Sequence, residues 1–210
     1  MATHDLIVMG ASAGGVEAIS TVLAGLPRDL PAAVCVVVHL RPDLESRMPE
    51  VLRRASTLPV EAATNGAPLR LGTIHVAVPD LHLVIELEDD TPVLRVLHGP
   101  RENRARPAVD PLFRSAAFAY GPRAIGVILS GALDDGTAGL WAIKHHGGIT
   151  VVQDPADATV GSMPAHALAE VGADHVATAL ELGPLLARLV HEPVRDPVPA
   201  ERVASRRRTG

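Results

Sequence analysis

Short unbroken apolar runs alternate along this chain with stretches in which apolar residues recur at helical spacing. The first run, Leu6 to Met9, stops at Gly10, and apolar periodicity resumes at Val16 and carries on to Leu26, just before Pro27. That pattern predicts a buried strand, a tight turn and a helix. Ala33 to Val38, rich in β-branched residues, predicts a strand covered on both faces. Glu45 to Ala55 reads as a short helix with Ser46 or Asp43 near its start, Pro59 to Ala63 as a short strand, and Asn65-Gly66 as a turn.

The middle of the chain changes character. Thr73 to Val78 and Leu81 to Leu87 are separated by Pro79-Asp80, and Val93 to Leu97 follows the turn residues Asp89 to Pro92. This close spacing predicts a hairpin or small antiparallel patch. Gly99 to Pro107 carries Arg101, Arg104 and Arg106 with few apolar residues, as expected of an exposed loop with solvated arginines, an acidic partner for them being the lesser alternative. Asp110-Pro111 predicts a helix start, with Asp as N-cap and Pro at the first helical position. Ala124 to Leu129 predicts a further buried strand, Thr137 to His146 a helix, and Ile149 to Val152 a strand. Met163 to Val171, His175 to Ala177 and Leu182 to Val190 predict a helix, a short strand and a last helix. Alternation of this kind predicts an α/β fold, a doubly wound, mainly parallel sheet with helices on both faces and one small antiparallel hairpin.

Composition narrows what such a fold can do. At 210 residues the chain is long enough for one full core, assigned to residues 1–191, with residues 192–210 reading as a disordered tail that ends in an arginine run. A net charge of -5 and 2% aromatic residues leave neither the basic footprint nor the stacking surface of a nucleic-acid binder. No apolar run reaches the roughly 18 residues of a membrane span, and the N-terminus has no signal-peptide pattern, so a cytoplasmic location without membrane insertion is expected. The single cysteine, Cys35, lies within a predicted strand and reads as a small buried hydrophobe. No metal-ligand spacing occurs, and His145-His146 face different ways on a helix. His75, His82 and His98 fall in the hairpin region and could line a cleft, with no pattern that assigns them a role.

In a doubly wound sheet, function sits beyond the carboxyl ends of the strands. The residues predicted there are Ser12, His39 and the pair Asp134-Asp135. Gly10-Ala11-Ser12-Ala13-Gly14 fits G-x-S-x-G, a strand–turn–helix elbow that presents a serine. The same tip could instead cradle a phosphate on the helix N-terminus, or simply link strand to helix. His39 stands where a dinucleotide-binding fold needs an acidic residue, and Ser12 occupies the second glycine of G-x-G-x-x-G, so a nucleotide-binding oxidoreductase fits poorly. Asp134 or Asp135 could orient a histidine while the other caps a helix. Serine, histidine and aspartate are the side chains of an acyl-transfer triad.

With those residues in view, the sequence resembles the catalytic domain of the chemotaxis protein-glutamate methylesterases, the CheB family, from about Asp5 to about Leu189. The resemblance rests on Gly10 to Gly15, Val38-His39-Leu40, Ile74 to Pro79 with His82-Leu83, Arg106 to Ser115, Leu129 to Gly136, and Gly161 to Pro164, all in family order. It implies a triad of Ser12, His39 and Asp135, Asp135 being chosen over Asp134 because it aligns with the last Asp-Gly of its loop. It also implies oxyanion donors at the backbone N–H groups of Ala13 and Ala132. Ala13 stands where the family often has a hydroxyl residue, and Leu133 where it commonly has glycine. The implied reaction is hydrolysis of glutamate γ-methyl esters through an acyl-enzyme with methanol release, with deamidation of glutamines by the same route. No metal or organic cofactor is implied. The implied partners are methylated chemoreceptor cytoplasmic helices or another methylated protein. No receiver domain precedes the strand at Leu6, so phosphorylation-gated control is not implied. A non-catalytic module of the same fold is the competing reading.

Overall fold

The computed structural model describes residues 2–39 and 47–194. In chain order its elements are β1 (Leu6–Ala11), α1 (Gly15–Ala24), β2 (Ala33–Val38), α2 (Met48–Ala55), β3 (Val60–Ala62), β4 (Ile74–Val76), β5 (His82–Glu88) and β6 (Thr91–Leu97). There follow α3 (Val109–Tyr120), β7 (Ala124–Ile128), α4 (Thr137–His145), β8 (Ile149–Gln153), α5 (Ser162–Glu170), β9 (His175–Ala177) and α6 (Ala179–Leu189). Seven strands make one sheet in the order β3-β4-β2-β1-β7-β8-β9, every neighbouring pair parallel. β5 and β6 form a separate antiparallel pair. The predicted doubly wound architecture with a small hairpin is therefore the one observed.

Side-chain alternation explains why the central strands read as continuous apolar runs. In β1, Ile7, Met9 and Ala11 join a core with residues of α1, α2 and α6. Leu6 and Val8 join a second core on the opposite face, with residues of α3, α4, α5 and the hairpin. A strand buried on both faces has no polar side to display. Each fully buried aliphatic side chain contributes roughly 1.5–3 kcal/mol, so β1, entirely buried, anchors both layers. Cys35 of β2 is fully buried too, and burial pushes its thiol pKa up. It is an inert core residue.

The winding places the site. From β1 the chain moves outward through β2 to β4 and β3, then returns to β1's other side with β7, so the order reverses between β1 and β7. β1 pairs with both β2 and β7 along its length, which sets the loops following these three strands side by side at one edge. Among the described residues no helix is long and apolar enough to cross a membrane.

Several local expectations need correction. Ile74–Val76 is not part of the antiparallel patch but pairs in parallel between β3 and β2; proximity to turn residues was a poorer guide than its buried pattern. α3 begins at Val109 after Ala108, so Asp110 is not its N-cap and Pro111 not its first residue. α6 starts three residues before the predicted Leu182, at a capping box in which Thr178 N–H donates to Glu181, and it contains Pro184. Ser46 and Asp43, proposed near the start of α2, lie outside the described residues. At the other end, Pro193 bridges Thr3, and Val194 N–H donates to Ala2 O; residues 195–210 lie outside the description.

Candidate active site

Ser12 sits immediately after β1 on a turn that leads into α1. Its N–H donates to Ser130 O at 2.9 Å, and Gly15 N–H donates back to Ser12 O at 2.9 Å. Gly14 closes the turn at φ +72°, and a Cβ there would come within 2.8 Å of Ser130 Oγ. Only glycine accommodates both the positive φ and the close approach. Gly14 precedes α1 without any side-chain cap, so the helix's first N–H groups and the positive end of its dipole face the serine turn. Ser12 Oγ has no hydrogen-bond partner among the described residues. Neither does the backbone N–H of Ala13 or of Ala132.

The β7–α4 loop is fastened to this turn. Ser130 Oγ donates to Ala13 O at 2.8 Å, and Ser130 N–H donates to Gln153 Oε1 at 2.9 Å. A Cβ on Gly131 would meet Met163 Sδ at 2.4 Å and Ser12 Cβ at 3.0 Å, so the loop passes directly against the serine. Leu133, where a glycine was expected from the family pattern, adopts φ +68°. The backbone thus takes the left-handed path open to glycine despite the substitution.

His39 follows β2, its N–H continuing the β1–β2 ladder to Ala11 O at 3.2 Å. Its Nε2 lies 2.6 Å from Asp135 Oδ2, and Asp135 is almost wholly buried. That carboxylate accepts four donors. Besides His39, Val109 N–H donates at 2.7 Å, Asp110 N–H at 3.1 Å and Asn103 Nδ2 at 2.7 Å. Burial alone would raise its pKa; the hydrogen bonds from His39, Val109 and Asn103 overcome this and hold it below the usual carboxylate range. Asp135 therefore caps α3, not the helix that follows it; α4 opens at Gly136 with no side-chain cap. Asp110 does the reverse service, accepting Gly139 N–H of α4 at 2.7 Å. Burial and the nearby negative charge of Asp135 push Asp110's pKa up.

Asn103, passed over in the sequence, joins this exchange. Its Nδ2 donates to Asp110 Oδ2 at 2.8 Å as well as to Asp135, and its φ of +48° is a conformation asparagine tolerates better than most residues. An asparagine in a turn-rich, apolar-poor loop was the available signal. The loop's arginines also depart from expectation. Arg106 is not solvated; its side chain is 12% exposed and holds Asp80 Oδ1 and Gly99 O. His82, left open, accepts Ala108 N–H at Nδ1 and meets Pro100 O at Nε2, which pins the same loop from beneath. His75 is buried in β4 beside Glu61, and His98 pairs with Asp80 on the surface. Neither reaches the site.

Ser12, His39 and Asp135 line one cleft of about 280 Å³, together with Ala132, Leu133 and the loop from Arg101 to Arg106. A larger recess of about 530 Å³ shares Asn103 but touches neither Ser12 nor His39. Among the described residues no group of three or more His, Cys, Asp or Glu is placed to hold a metal. A hydroxyl, an imidazole and a buried carboxylate at the ends of three adjacent strands form the residue set of hydrolases that attack acyl carbon.

Known proteins give that class a family. Residues 7–186 match the family described as CheB methylesterase. A protein-glutamate methylesterase/protein-glutamine glutaminase of Anaeromyxobacter dehalogenans is 41% identical over 169 residues, covering 80% of this chain and 48% of that protein. A protein of Leptospira interrogans is 35% identical over 186 residues, covering 89% of this chain and 95% of its own length. The crystal structure of the Thermotoga maritima CheB methylesterase catalytic domain superposes with a TM-score of 0.86 at 30% identity, covering 90% of this chain and all of that one. The chain belongs to the CheB methylesterase family.

Proposed function

We propose that this chain is a protein-glutamate methylesterase that works as a serine hydrolase, its activity residing in residues 1–191. The observation that carries the reading is the 2.6 Å contact between His39 and Asp135 in a cleft that also holds Ser12. With Nε2 donating to the ionised Asp135, His39 keeps the Nδ1 lone pair for the serine proton. Ser12 Oγ attacks the γ-carbonyl of a glutamate methyl ester as that proton passes to His39. The tetrahedral oxyanion accepts hydrogen bonds from the unengaged N–H groups of Ala13 and Ala132, an arrangement worth roughly 3 kcal/mol per donor. Collapse returns the proton to the departing methoxide, which leaves as methanol. Water, deprotonated by His39, then attacks the acyl-enzyme and releases glutamate with Ser12 restored. The same steps on a glutamine amide would expel ammonia.

Methylated chemoreceptor helices are the proposed substrates, in line with the activities named for the relatives. The test is release of methanol from a methyl-glutamyl receptor fragment by the wild-type chain and by Ser12→Ala. Ser12-dependent release is expected; equal release by both, or by neither, contradicts the proposal.

A further inference from the structure

Two residues on the rim of the cleft are held in costly conformations that no contact among the described residues offsets. Leu133 adopts φ +68° and is 57% exposed. An aliphatic side chain has no local hydrogen bond to offset a left-handed backbone, and its exposure leaves apolar surface in water. The loop cannot easily relax, since Gly131 on one side packs against Ser12 and Gly136 on the other packs against Ile128 and Val109. Arg104 adopts φ +64° and is exposed. Arg101 and Arg106 both reach Asp80, and Glu102 is taken by Arg114. Arg104 has no acidic partner among the described residues. Both side chains line the cleft that holds Ser12, His39 and Asp135. Strain of this kind, gathered at one cleft, is retained where a bound partner uses it.

We infer that Leu133 and Arg104 read the polypeptide around the reacting ester, Leu133 packing against an apolar neighbour and Arg104 pairing with a carboxylate neighbour. The inference rests on the methylesterase reading above and adds what the enzyme selects. The methyl ester is uncharged and cannot pair with Arg104, and its single methyl group is too small to cover an exposed leucine side chain. The substrate class is a methylated segment in which the modified glutamate is flanked by aliphatic and acidic side chains.

The experiment compares methanol release from two methyl-glutamyl peptides, one with Leu and Glu neighbours and one with Ser and Gln neighbours. The wild-type chain is expected to favour the first by about tenfold or more in kcat/KM, the range in which one pocket contact discriminates. Leu133→Gly should shrink that preference, through KM far more than kcat, while melting no lower than wild type because glycine adopts the same φ freely. Arg104→Gln should shrink it too, and should abolish its salt dependence, which Leu133→Gly leaves in place. A wild-type chain that treats both peptides alike, or variants that discriminate as wild type does, overturns the inference. If neither peptide is turned over and p-nitrophenyl acetate shows no Ser12-dependent hydrolysis, the methylesterase reading itself fails, and the inference with it.

Discussion

The two ends of the candidate relay are built in opposite ways. At the carboxylate end every acceptor is engaged: Asp135 takes His39, Asn103 and two backbone N–H groups, and Asp110 takes Asn103 and Gly139 N–H. At the serine end the groups that would do chemistry are left open. Ser12 Oγ and the N–H groups of Ala13 and Ala132 have no partner among the described residues, although the surrounding loop is tied down through Ser130. A buried charge must be paired and hydrogen-bonded to persist, whereas a nucleophile and an oxyanion site must keep their capacity for substrate. The contrast separates a scaffold that fixes an imidazole from a surface whose hydrogen-bonding groups stay open.

The contrast can be broken most severely at its open end. Ser12→Ala should reduce methanol release by roughly 10⁴–10⁶-fold, with the melting temperature unchanged because Ser12 Oγ bonds to nothing it would lose. Asp135→Asn comes next, at about 10⁴-fold in kcat, and here stability must fall too. Asp135's carboxyl is held below its ordinary range, so its stabilisation is fully present above the unfolded value of about 3.9 and is lost as pH falls through the lower folded value. Thermal melting followed from pH 6 down to pH 2 should show that acid-side loss in wild type and a flatter profile in Asp135→Asn.

Asn103→Ala sharpens the same end with a smaller effect. It removes the donor shared by two carboxylates, so activity should fall about tenfold, mainly in kcat. The acid-side loss of stability should be smaller and the profile flatter, because Asp135 is then less well held and its folded value moves back toward the unfolded one. An unmoved acid profile would show that Asn103 is not what holds the pair. Ser130→Ala probes the serine end most gently. Losing its hydrogen bond to Ala13 O should cost about 1 kcal/mol of stability, and kcat should fall severalfold as the Ala13 amide loosens; chemical denaturation and steady-state kinetics read the two effects.

What could be read from sequence follows the same division. Ser12, His39 and the Asp134-Asp135 pair announce themselves because each follows an apolar run, and a doubly wound sheet gathers strand ends at its switch point. The reciprocal capping was not legible, because it links residues far apart in sequence: Asp110 looks like the cap of its own helix, yet serves α4, while Asp135 serves α3. Asn103 carried only a weak turn signal, and Arg106 looked solvated because its acceptor, Asp80, lies in a different turn. At α6, Thr178 and Glu181 have the spacing of a capping box, the local signal that puts the start at Ala179 and not at the predicted Leu182.

The central claim is that Ser12 is the activated nucleophile of a relay through His39 to Asp135. Its most direct measurement is mass spectrometry of the chain after treatment with a fluorophosphonate, with the adduct mapped by peptide. The account predicts one adduct, on Ser12, absent in Ser12→Ala and formed far more slowly in His39→Ala. No adduct on Ser12 in the folded wild-type chain, or labelling at the same rate without His39, would contradict it.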